Sequence, residues 1–202
     1  MKTSATIERK SFFKETVKPT GIIIPDHPIY VQANCAQKGS WVLGEKSLGN
    51  ENLAFFVLAV LFSRELNPYK EKEIAIATIF LTPIDDNTLK PQLVYAIKIR
   101  DQDSGRKGSL SNFAARTAEM MATGVDPREV IWTAKFINKS GNLPNGDPYN
   151  CAVIDFEYRF VKTDEEDAIL ANCVLVLEED FKLKKLQQIA LPPIVQMEGD
   201  NS

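Results

Sequence analysis

Histidine occurs once in this 202-residue chain and cysteine three times, and neither is placed for chemistry. His27 lies in Pro25-Asp26-His27-Pro28. Neighbouring residues rarely aim at one target, and the flanking prolines favour a turn, so an exposed turn is expected rather than a general base. Cys35, Cys151 and Cys173 are far apart, with no paired CxxC spacing. That argues against a zinc site and against a disulfide framework. No P-loop, dinucleotide fingerprint, nucleophile elbow or HExxH motif occurs. No cofactor and no metal is expected.

Long apolar runs are also missing. The longest, Leu53 to Phe62, is half the ~20 residues of a bilayer-crossing helix. The opening MKTSATIERK lacks the apolar stretch of a signal peptide. A cytoplasmic chain without membrane contact is the expectation. Charge of one sign is scarce too, since the net charge is only −3. A polyanionic ligand would therefore need a local basic surface.

What is present is a chain of ordinary globular composition, 44% hydrophobic and 25% charged, with clear periodicities. Residues 1–19 read as a flexible polar arm, and residues 20–180 as one domain. Residues 181–202 read as a polar, disordered tail that contains Pro192-Pro193. Ile22-Ile23-Ile24 and Trp41-Val42-Leu43 are short β-branched or apolar runs bracketed by Gly and Pro, and they suggest an N-terminal β extension. Leu53 to Glu65 and Glu73 to Thr82 are rich in β-branched and aromatic residues. In Leu93 to Arg100, Leu93, Tyr95, Ile97 and Ile99 alternate with Val94, Ala96, Lys98 and Arg100.

The clearest helix is Ser109 to Ala122, where Leu110, Phe113, Ala114, Thr117, Ala118 and Met121 follow helical spacing. Ser109 is a candidate N-cap and Gly124 a candidate stop. Two alternating segments follow. In Val130 to Asn138, Val130, Trp132, Ala134 and Phe136 share a face; in Cys151 to Lys162, Ile154, Phe156, Tyr158 and Phe160 do. Thr163 and Glu166 have the spacing of a capping box at the start of a C-terminal helix. Helix and strand both remain open for 173–177.

The order from about 50 to 162 is therefore β-β-β-α-β-β. It predicts a mainly β (α+β) fold, a five-stranded OB-like Greek-key barrel with one helix between its third and fourth strands.

Two acidic patterns have a partial likeness to metal sites. Asp101-Gln102-Asp103-Ser104-Gly105 begins like a calcium loop, but Arg106 and Asn112 stand where the loop needs Gly and Glu. Asp155 and Glu157 have the spacing of paired nuclease carboxylates. The next residue in register is Arg159, which holds its proton too tightly to act as a base. A solvated strand face is the simpler reading.

Charge is nevertheless segregated. Lys98 to Lys139 carries eight cations against five acids, whereas Asp155 to Asp180 carries nine acids against two cations. An OB barrel that holds a single strand uses a cationic groove with aromatic platforms. Lys98, Arg100, Arg106, Lys107 and Lys135 are the candidate phosphate contacts, and Tyr69, Tyr95 and Trp132 the candidate stacking platforms. The partner so implied is single-stranded nucleic acid. The alternative is a protein partner docking on the acidic segment 163–180.

Gly39-Ser40-Trp41-Val42-Leu43-Gly44 through Ser47-Leu48-Gly49, followed by the long apolar run, resembles poorly characterised proteins encoded by phages, plasmids and cyanobacterial genomes. Several of these are similar to single-stranded DNA-binding proteins. The resemblance covers about Gly21 to Lys162 and implies an OB-like core with a role near replication or recombination. The final Gly199-Asp200-Asn201-Ser202 departs from the acidic, hydrophobic-tipped tail by which bacterial single-strand binders recruit partners.

Overall fold

The computed structural model describes residues 21–36, 38–67, 72–85, 88–101, 108–142, 145–178 and 181–190. The expected arm at 1–19, the end of the expected tail, Tyr69, Arg106 and Lys107 lie outside the described residues. Eight strands and three helices are present among the described residues. In chain order they are β1 (Tyr30–Asn34), β2 (Ser40–Leu43), β3 (Lys46–Gly49), β4 (Leu53–Asn67), β5 (Lys72–Pro83), β6 (Tyr95–Arg100), α1 (Ser109–Ala122), β7 (Ile131–Asn142), β8 (Pro148–Arg159), α2 (Asp164–Glu178) and α3 (Phe181–Ala190).

The strands form one sheet in the order β3-β2-β1-β6-β5-β4-β7-β8. Every neighbouring pair is antiparallel except β1 and β6, which run parallel. The sheet curls into an open half-barrel. This corrects the expected five-stranded closed barrel. The succession β-β-β-α-β-β is found at β4 to β8, but among the described residues no strand pairing joins β6 to β8. The expected N-terminal β extension is part of the sheet itself: β1, β2 and β3 continue it, while Ile22–Ile24 adds an isolated bridge from Ile23 to Leu93 and buries Ile22.

Alternation along the strands gives the sheet two apolar faces. The concave face buries Trp41, Phe55, Ile79, Ile97, Trp132 and Phe156 against Phe113 and Met120 of α1. The convex face buries Phe56, Phe80, Ala96 and Ile131 against Cys173 and Val176 of α2 and Leu183 and Leu186 of α3. The 173–177 stretch is therefore helix. Residues 181–190, expected within a polar tail, form a helix whose Leu183, Leu186 and Ala190 follow its inner face. Gly39, at φ +81°, lies so close to the Phe136 ring that any Cβ would strike it.

The helix ends follow from local chemistry. Gly108 rather than Ser109 is the N-cap of α1, and it offers no side chain. Asp101, at the end of β6, substitutes for it: its Oδ1 accepts the amides of Gly108 and Ser111, each at 2.8 Å, and its Oδ2 accepts the Ser111 hydroxyl at 2.6 Å. A carboxylate there also meets the positive end of the helix dipole. Gly124, at φ +75°, ends the helix. At α2 the Glu166 amide donates to Thr163 Oγ1 at 3.2 Å, as a capping box requires. The Glu166 carboxylate accepts from the Lys162 amide at 2.9 Å and grips the Arg159 guanidinium of β8 with both oxygens.

β8 ends the sheet, yet its outer edge is bonded. The Ala152 amide donates to the Cys35 carbonyl at 2.9 Å, just beyond β1, and Ala36 bridges Cys151. The Ile154 amide donates to Ser109 Oγ at 2.9 Å. The Ile154 carbonyl accepts from Asn112 Nδ2 at 2.9 Å, and the Phe156 carbonyl from Arg116 Nε at 3.1 Å. Residues 109, 112 and 116 share one stripe of α1, so the helix presents polar side chains where another strand would present its backbone.

Two outcomes follow. Ser109→Ala strands the buried Ile154 amide, so chemical denaturation should show a loss of about 1–3 kcal/mol, with Ala115→Ser on the exposed face close to neutral. The Arg159 guanidinium, ahead of the opposing cost of burial, holds the Glu166 carboxyl down to about 2 from 4.5. A depressed carboxyl stabilises the fold above its unfolded value, and that contribution disappears as pH falls from about 4.5 towards 2. Acid titration of stability should show the gap between wild type and Glu166→Gln closing over that interval.

Candidate ligand-binding cleft

β1 and β6 pair only at Tyr30 with Ala96 and Val31 with Ile97. Beyond these pairs the strands splay. The cause is that β1 leads to Cys35 and Ala36, which bond to β8 instead. The gap between Gln32–Cys35 and Lys98–Arg100 holds two adjoining cavities of about 430 and 510 Å³, which share Ala33, Lys98 and Arg100. Both strands point their carboxyl ends into it. The ends of parallel strands at a change of strand order are a recurrent place for ligands in open sheets.

Alternation sets the side chains. Val31, Ile97 and Ile99 turn into the concave core, so Gln32 and Asn34 on β1 and Lys98 and Arg100 on β6 are left exposed. Lys98 Nζ lies 5.5 Å from the centroid of the half-buried Tyr30 ring and 2.7 Å from Glu65 Oε1 on β4. Arg100 makes no ion pair with another described residue. Ser109 and Ile154 also line the cleft, so the clamp of α1 on β8 forms one wall. The Cys35 thiol lies in the same wall. Burial pushes its pKa up, the neighbouring Cys151 adds to the rise, and Arg100 partly offsets it.

Of the residues predicted from sequence, Lys98 and Arg100 come together here. Lys135 does not. It lies on β7, separated from β6 by β5 and β4, and pairs with Glu157 across the β7–β8 ladder. That pair also accounts for Glu157, one of the two carboxylates with nuclease-like spacing. Tyr95 and Trp132 are corrected from platforms to core: they are 4% and 0% exposed. Trp132 Nε1 donates to the Pro127 carbonyl at 2.7 Å, and Phe113 and Phe156 pack on its ring. Neither ring can stack on a base while the concave core is intact. Asp101 spends both oxygens on α1, and His27 is exposed in the turn before β1.

In the acidic segment, Asp164, Glu165 and Asp167 are exposed in the first turn of α2, where acids complement the helix dipole. Among the described residues no helix is long and apolar enough to cross a membrane.

Sequence reading missed Tyr30, Gln32 and Asn34. Their signal was a short alternation with Val31 and Ala33, overshadowed by the stronger runs on either side. Compared with protein-family models, curated proteins and solved structures, the chain shows no significant match to any.

Proposed function

We propose that the protein binds single-stranded nucleic acid, without catalysis, in the cleft between β1 and β6. The observation that carries this reading is the grouping of Lys98, Arg100 and the Tyr30 ring where the parallel pair splays. The two cations sit on one strand face and can meet successive phosphates. Tyr30 offers a partly open ring for a base, and Gln32 and Asn34 offer amides for base edges or sugar. The resemblance to phage, plasmid and cyanobacterial proteins adds a role near replication or recombination.

Binding has to displace Glu65 from Lys98. Both side chains are partly exposed, and such pairs contribute about 0–1 kcal/mol, so a phosphate can compete for the ammonium. With a net charge of −3 the rest of the molecule gives no attraction. Affinity should therefore be modest and strongly weakened by salt.

A second reading is a protein partner on the acidic first turn of α2, favoured by the exposure of Asp164, Glu165 and Asp167. It expects no salt-sensitive binding of DNA.

Fluorescence anisotropy of a labelled single-stranded oligonucleotide, with a duplex control at two salt concentrations, separates the two readings. Preference for the single strand is expected, with Lys98→Ala/Arg100→Ala weakening it about tenfold or more and Glu65→Gln strengthening it. Absence of binding at low salt would overturn the nucleic-acid reading.

A further inference from the structure

The two ends of the sheet are managed and an interior strand is not. β3 is short, β8 is capped by α1, but β4 is open along most of its length. β5 pairs with β4 as far as Asn67, whereas β7 reaches only from Leu53 to Phe56. β7 begins at Ile131, opposite Phe56, so β4 runs on past the start of its neighbour, with a bulge against β5 at Val57/Ala59. From Ala59 to Asn67 the second edge has no strand partner among the described residues. That is about 30 Å of unpaired backbone at the usual rise.

The surface beside this edge is mainly apolar, with one exposed ion pair on it, Arg64 of β4 to Glu73 of β5 at 3.5 Å. A groove of about 430 Å³ runs between Val57, Val60 and Phe62 of β4 and Phe113, Thr117 and Met121 of α1. Phe62, Leu66 and Met121 are 66%, 64% and 68% exposed. A long, open, apolar edge is the feature that natural sheets usually blunt with charge, proline or a covering element.

We infer that a second copy of this chain covers it, with β4 pairing antiparallel to its counterpart across a two-fold axis at Ser63. The warrant is the self-complementarity of the edge. Register against β5 puts Val60, Phe62, Arg64 and Leu66 on the groove face, and Leu61, Ser63 and Glu65 on the other. Pairing about Ser63 sets Phe62 opposite Arg64 of the second copy, a favourable ring–guanidinium contact, and Val60 opposite Leu66. Glu65 falls opposite Leu61, so no like charges meet. A two-fold at Arg64 would set guanidinium against guanidinium and is disfavoured. The dimer then continues the sheet from one copy to the next, closing both open edges at once.

Sedimentation equilibrium of the full chain tests this. A concentration-dependent dimer is expected. Phe62→Lys places an ammonium opposite Arg64 and should raise the dimer dissociation constant about tenfold or more above that of Phe62→Glu, which offers Arg64 a carboxylate. Phe62 is exposed, so both variants should retain the wild-type monomer fold by circular dichroism. Ser63→Cys should be joined to its own copy by a short bis-maleimide, with wild type as the control for the native thiols. A chain monomeric at its highest attainable concentration, or a dimer indifferent to the charge at position 62 and not joined through position 63, would overturn the inference.

Discussion

A helix that hydrogen-bonds like a strand is the constraint on which this fold depends. Ser109, Asn112 and Arg116 of α1 satisfy the amide and carbonyl of Ile154 and the carbonyl of Phe156, and the Cys35 carbonyl satisfies Ala152. The seam between β6 and β8 is thus filled by side chains and one bridge. A half-barrel results because nothing remains for β6 to pair with on β8. The same contacts draw β1 away from β6 after Val31, and that divergence is what opens the cleft. Architecture and candidate site therefore share one cause.

The two faces of the sheet divide the remaining work. The concave core holds α1 in place, and Asp101 fixes its start to the end of β6, so the clamp is anchored at its N-terminal turn as well as along its stripe. The convex core seats α2 and α3, with the Arg159–Glu166 pair tying α2 back to β8. Where the helices stop covering the convex face, its alternating positions become polar: Lys98, Arg100, Gln32, Asn34 and Glu65. Lys98 is shared between Glu65 and the Tyr30 ring, so the cleft keeps one acid that any anionic ligand must displace.

Periodicity made the local elements legible. The alternation of Leu93 to Arg100 and of Val130 to Asn138, the helix at 109–122 and the Thr163–Glu166 cap lie where the sequence places them. However, α1 buries Ser109, Phe113 and Met120 and leaves Ala114, Ala118 and Met121 of its apolar stripe exposed. Which strands close on one another did not follow, because period two fixes faces and leaves long-range partners open. The closed barrel failed at that step. Tyr95 shares its face with Leu93, Ile97 and Ile99, and Trp132 shares its own with Val130, Ala134 and Phe136; both faces turn to the core, and the pattern alone does not say which face meets solvent. In 181–190 the lysines masked Leu183, Leu186 and Ala190, whose spacing i, i+3, i+7 carried the helix. Lys98 and Arg100 are legible as a candidate site because two cations at alternate positions of an otherwise apolar strand have no role in a core.

The most direct measurement is amide hydrogen exchange at Ala152 and Ile154, resolved by NMR. Both amides point away from β7, off the end of the sheet, and an uncapped edge would leave them to water. If α1 and Cys35 close the seam, their exchange should be as slow as that of Phe80 or Ile97 in the middle of the sheet, and Ser109→Ala should speed Ile154 selectively. Rapid exchange at both positions in the wild-type protein would contradict the account, because the seam, the splay of β1 from β6 and the cleft all rest on those bonds.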